Sequence, residues 1–206
     1  GLLAEADGAL SGNDITSAGV GLRIVEDFGG RIEDNDIHDA ATGLSYEAAA
    51  GVGGNRIYGN DVGVHAAVAG STEGFGFVGD AEANDIFGNV TGVVLSGQMQ
   101  NQYVHDNTGA GVTGSGILGG QDLERANRIE GHAAGVADFA GTVQYNRIFS
   151  NTVGIEAADG QKIFHNLIYR NGQAGVLAAG VSDVRIVYST FYAPEGDNVR
   201  IEQGAD

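Results

Sequence analysis

The chain has 206 residues, 42% of them hydrophobic, with 27 acidic residues against 10 basic ones and a formal charge of −17. That balance excludes a nucleic-acid partner and an anionic lipid surface, both of which need a cationic face. The lack of cysteine excludes disulfides and thiol chemistry, and no run of about 18 apolar residues is present to insert into a membrane.

Glycine is abundant, 36 residues against the single proline Pro194, and it is scattered among Val, Ile and Ala. Such a chain makes many tight turns between short strands. It opens on Gly1-Leu2, a glycine followed by an aliphatic residue, with no signal peptide visible in GLLAEADGAL. An exported protein would carry its signal outside this stretch.

Asn13, followed at +2 by Ile15, begins a series. It continues through Asn35, Asn55, Asn84, Asn101 (with Tyr103 in the Ile place), Asn127, Asn146 and Asn166, and Ser189 with Phe191 is a degenerate ninth copy. The spacings are 22, 20, 29, 17, 26, 19, 20 and 23, with a mean of 22. A Gly-aliphatic pair follows eight residues after the Asn in six copies, as in Gly43-Leu44 and Gly154-Ile155. A third apolar residue precedes the Asn by three, as in Ile32, Val52 and Val143. The local period is 2, which indicates short strands rather than helix. A repeat of this length with three short strands predicts an all-β, right-handed parallel β-helix: one domain over 1–206, with about nine rungs of about 22 residues. The missing end caps predict a piece of a longer chain, with flanking domains or end-to-end protein contacts covering the terminal rungs.

The segments NRIYGNDVGV, NDIFGNVTGV and NRIFSNTVGI resemble the parallel β-helix repeat of the pectate-lyase-like superfamily, which includes polysaccharide lyases, mannuronan C-5 epimerases and NosD-type proteins. The resemblance implies that the repeated Asn sits at the turn before the third strand. Asn tolerates left-handed backbone geometry, and stacked amides can form a ladder along the rod axis. The expected ladder is Asn13, Asn35, Asn55, Asn84, Asn101, Asn127, Asn146 and Asn166. Residues at Asn+2 and Gly+1 should make the core. Those at Asn+3 should point outward, among them His38, Tyr58, Phe87, Val104, Phe149, Tyr169 and Tyr192.

Tyr58, Phe87, Phe149 and Tyr169 are therefore candidate carbohydrate or partner contacts, or supports for neighbouring strands. Phe75 and Phe77, in the long interval at 69–83, are candidates of the same kind. A second long interval runs from 113 to 126. On the first-strand face, where the resemblance places a substrate groove, Arg23, Glu47 and His65 form the one patch able to do acid–base work. His65 or Glu47 would be the base and Arg23 the cation; the alternative is a surface ion pair with a neighbouring His. No metal site stands out. A weak calcium site at Asp34, Asp36 and Asp39 is the one cation site expected, and no other cofactor is expected. The DPHE motif expected of mannuronan epimerases is absent.

Two functions follow as expectations. One is a repetitive scaffold segment of an extracellular, periplasmic or surface bacterial protein that contacts polysaccharide. The other is a lyase or C-5 epimerase acting on an acidic polysaccharide.

Overall fold

The computed structural model describes residues 2–3, 8–67, 82–202 and 204. All regular structure among them is β, and every strand pairing is parallel. Three sheets run along the rod. Nine strands of three residues each, from Asp14–Thr16 to Thr190–Tyr192, form one sheet in strict rung order. A twelve-stranded sheet carries the Gly-aliphatic strands from Leu2–Leu3 to Asp197–Glu202. A three-stranded sheet joins Ala9–Ser11, Phe28–Glu33 and Ala50–Gly53. This is a parallel β-helix with three strands per rung.

In the middle rungs the first and second strands of a rung fuse. Thr91–Met99, Ala110–Leu118 and Ala134–Gln144 each run through both faces. The bend is made by the stacked glycines Gly97, Gly116 and Gly141, with φ of 121°, 114° and 126°. Few side chains tolerate that conformation, so glycine replaces a corner loop. Thr113–Leu118 thus belong to a strand, and the extra chain of the second long interval is 119–126.

The core is a set of columns. Ile37, Ile57, Ile86, Ile129 and Ile148 stack from the nine-stranded sheet, all fully buried. Leu44, Val64, Val93 and Val136 face them, also fully buried. A further inward position, two residues past Leu44 and, across a bulge, three past Val136, holds the largest core side chains, Tyr46 and Phe139. Each buried aliphatic side chain contributes about 1.5–3 kcal/mol.

The amide ladder is present. Asn55 Oδ1 accepts from both the backbone N–H and the Nδ2 of Asn35, at 3.1 and 2.8 Å. Asn55 Nδ2 in turn donates to Asn84 Oδ1 at 2.8 Å and to the carbonyls of Ile32 and Gly53. The Asn itself is not the left-handed residue. The one before it is, as in Asp34 (φ 56°), Tyr145 (52°) and His165 (56°). This corrects the expected place of Asn101. Asn101 has φ 55° and is the turn residue, while Gln102 occupies the ladder. Asn84 Nδ2 donates to Gln102 Oε1 at 2.8 Å, and Gln102 N–H donates to Asn127 Oδ1 at 3.0 Å. The register pairs Ile86, Val104 and Ile129, so Val104 is core and fully buried, not outward; His105 takes the outward place.

A second ladder runs five residues further on. Asn60 Nδ2 donates to Asn89 Oδ1 and Asn89 Nδ2 to Asn107 Oδ1, both at 2.9 Å. Beyond His132, Asn151 Nδ2 donates to Asn171 Oδ1 at 3.1 Å. These amides sit over the glycine column of the long sheet. A Cβ on Gly43 would lie 2.7 Å from the Gly63 carbonyl oxygen and 2.8 Å from Asn60 Nδ2. The Gly-aliphatic signature is therefore the footprint of the second ladder.

His132 fills one place in that ladder, 3% exposed. Its Nδ1 accepts from Asn107 N–H at 3.2 Å, and its Nε2 lies 3.2 Å from the Val104 carbonyl, so the neutral ring with a proton on Nε2 copies the amide. Burial holds its pKa below the ordinary 6.5. Two outcomes are expected. Asn146→Ala takes one of two acceptors from Asn127 Nδ2, which keeps the Met99 carbonyl, and removes the amide donor to the carbonyls of Leu118 and Gln144; at about 1–3 kcal/mol per buried group left short of a partner, urea unfolding should show a loss of about 3 kcal/mol. A loss below about 1 kcal/mol would mean the ladder is dispensable. For His132 the depressed pKa means its contribution is complete above the unfolded value of 6.5 and is lost as pH falls from there through the folded pKa. Unfolding measured across that window should show His132→Asn less acid-sensitive than the parent; equal sensitivity would clear His132.

Candidate functional site

The first-strand patch is brought together in part. Arg23, Ser45 and His65 are successive partners in the long sheet. Glu47, two residues past Ser45, takes a two-pronged contact from Arg23, Nε to Oε1 at 2.8 Å and Nη2 to Oε2 at 3.0 Å. Ser45 Oγ donates a third bond to Glu47 at 2.7 Å. These bonds, Arg23 first and Ser45 next, lower the Glu47 pKa, and Glu47 raises that of Arg23. A carboxylate so held is a poor proton acceptor, and a guanidinium so held is already neutralised. His65 sits exposed on the next strand.

The nine-stranded sheet carries more chemistry. In each three-residue strand the middle side chain points in and the outer two point out. On the outer face His38, Tyr58, Phe87 and His105 form one continuous stack, with centroids 4.9, 5.2 and 5.1 Å apart and planes within 17° of parallel. Phe149 stacks on Tyr169 at 4.8 Å further along. The faces of Tyr58 and Phe87 are thus spent on their neighbours. A ring column missed by pattern reading, Tyr145–His165–Tyr188, stands on the left-handed turn residues. Its signal was the aromatic or His at ladder −1 in three successive copies. Phe75 and Phe77 lie outside the described residues.

Both ends of the four-ring stack are gripped by carboxylates. His38 Nε2 meets Asp14 of the preceding rung and Nδ1 meets Asp39, both at 2.8 Å. His105 repeats this with Asp85 at 2.7 Å and Asp106 at 2.9 Å. The sequence showed these only as His-Asp pairs; the rung-to-rung partner needed the register. Asp36 meanwhile accepts from Arg56 Nη1 at 3.0 Å. Of the expected calcium trio of Asp34, Asp36 and Asp39, Asp36 is thus taken by Arg56 and Asp39 by His38. Among the described residues, no group of three or more His, Cys, Asp or Glu converges to hold a metal ion.

Tyr103 lies beside His105, ring centroids 4.3 Å apart, and donates to Glu130 Oε1 at 2.6 Å. Burial first, then Glu130, pushes its pKa up to about 12. Arg128 sits over its ring at 5.3 Å. Two adjoining hollows open here, of about 370 and 220 Å³, sharing Ala83, Asn101 and Arg128 in their walls.

No family model, curated protein or solved structure matches the chain.

The His38 clamp has a testable sign. Asp39 first, and Asp14 with it, raise the His38 pKa above 6.5. Its stabilising effect is complete below 6.5 and is lost as pH rises through the raised value, opposite to His132. Removing it in His38→Gln should flatten that gain on acidification, read by thermal unfolding between mildly acidic and mildly alkaline buffers. An unchanged pH profile would mean the clamp is not formed in solution.

Proposed function

We propose that the chain is a repetitive β-helix scaffold segment of an extracellular or surface bacterial protein, of the pectate-lyase-like kind, and that it contacts polysaccharide. One observation carries the scaffold reading: four outward charged groups pair from rung to rung. Arg23 with Glu47, Arg56 with Asp36, His38 with Asp14 and His105 with Asp85 each tie neighbouring coils together. Groups committed to axial cohesion hold the rod straight and are not free to abstract a proton. Polysaccharide contact is supported by the rod form, which offers repeated positions about 4.8 Å apart, a ruler for a long chain. The net charge of −17 disfavours a densely anionic polymer and favours a neutral or sparsely acidic one.

A lyase or epimerase is the second reading, and it rests on the Tyr103, His105 and Arg128 group. With a pKa of about 12, Tyr103 would serve as an acid rather than a base. Both His105 ring nitrogens are within 2.9 Å of a carboxylate.

Incubation with a panel of neutral and uronic-acid polysaccharides, with and without calcium, separates the two. The expected result is co-sedimentation with at least one polymer and no ultraviolet absorbance from an unsaturated product. Appearance of that product, abolished by Arg23→Ala or His65→Ala on one face or Tyr103→Phe on the other, would replace the scaffold with an enzyme.

A further inference from the structure

The outer row of the nine-stranded sheet that begins each strand contains its own control. Arg56 stands beside Asp36 on the preceding rung and binds it at 3.0 Å. Arg128 and Arg147 stand beside each other on consecutive rungs. Among the described residues, no carboxylate lies within ion-pair distance of either, although the chain carries 27 acidic residues. Arg128 lies over the Tyr103 ring. Two guanidinium groups on strands about 4.8 Å apart repel each other, an arrangement that an added anion would relieve. Both are exposed, and both line the same hollow of about 220 Å³.

We propose that this hollow binds one oxyanion group, a carboxylate or a sulfate, carried on a saccharide-sized body. Planar guanidinium forks match either oxyanion in two-pronged geometry. The remaining wall suits the rest of a sugar. Glu124 at this hollow and Glu82 at the adjoining one offer acceptors for hydroxyl groups, and Asn101 lies between them. The two carboxylates also disfavour a polyanion, so the ligand carries its charge singly. The proposal rests on the polysaccharide-contact reading and names where and by what chemistry that contact is made.

The test titrates the protein by calorimetry at low salt with glucuronate, glucose 6-sulfate, glucose and inorganic sulfate. The expected result is binding of at least one acidic sugar, at least tenfold tighter than glucose or sulfate alone and weakened by added salt. Arg147→Gln and Arg128→Gln should each weaken it tenfold or more, and Arg147→Lys should restore part of the loss. Arg170→Gln, on another row, should leave it unchanged. Unfolding curves of each variant confirm that the fold is intact. Equal binding of glucose, equal binding of inorganic sulfate, no binding at all, or binding indifferent to both arginines would each overturn the site. Polysaccharide co-sedimentation of Arg128→Gln/Arg147→Gln separates the two levels. If the parent co-sediments and the double variant does so equally, this site falls and polysaccharide contact stands. If the parent binds the acidic sugar but no polymer, the site stands and the broader reading falls.

Discussion

A coil that turns a corner against its own dry interior leaves a backbone N–H without a strand partner, and a buried N–H must find one. Here the acceptor is the side-chain oxygen of the next rung. Asn35 N–H donates to Asn55, Asn55 N–H to Asn84 and Asn146 N–H to Asn166, at 3.1, 3.1 and 2.9 Å. The same amide then donates to carbonyls on its own and the preceding rung. One residue type so meets donor and acceptor demands at one corner, and it does so only if the next rung repeats it. Among the described residues, no buried side-chain nitrogen or oxygen lacks a partner.

The second ladder sets a further condition. Its amides press on the first strand of the long sheet, and there is no room for a Cβ beneath them. Gly63 would meet Asn89 Nδ2 at 2.8 Å and Gly92 would meet Asn107 Nδ2 at 2.9 Å. Where His132 replaces the amide, Gly111 would meet its Cδ2 at 2.6 Å. The glycines, the amides and the aliphatic residue after each glycine are therefore one packing solution. Stability is then a nearest-neighbour property, in which each rung is held by the two beside it.

That coupling decides what was legible in the sequence. The period, the strand class and the first ladder were readable because Asn-x-Ile and Gly-aliphatic repeat in one-letter form. The ladder position at Asn101 was misread because two amide residues are adjacent there, and only strand pairing shows that Val104, not Tyr103, is the core residue. The second ladder was hidden because its positions vary: Ala40 lies where Asn60 lies one rung on, and His132 where Asn107 lies one rung back. The Asp–His–Asp clamps join residues 24 and 20 apart. Such partners are defined by register, which a 22-residue mean with variable spacing does not fix. Of the candidate site, Arg23 and Glu47 were found as neighbours, whereas Arg128 and Arg147 looked like ordinary outward strand residues.

Several irregularities meet at one boundary, between the rung of Gln102 and that of Asn127. Extra chain at 119–126 enters there. The long strands slip register between Val112 and Gly114, with Asp138 at φ 47°. His132 interrupts the amide-to-amide links of the second ladder at this level. Both hollows open beside it. Some outward charges of the rod pair with the next coil, as Arg23 and Arg56 do, while others, such as the neighbouring Lys162 and Arg185, have no ion pair among the described residues. Asp36 and Arg56 obey the pairing rule; Arg128, set between Tyr103 and Arg147, does not. What sets Arg128 and Arg147 apart is that two neighbouring guanidinium groups line one hollow at the level where the repeat breaks, so charge and a concave wall coincide there.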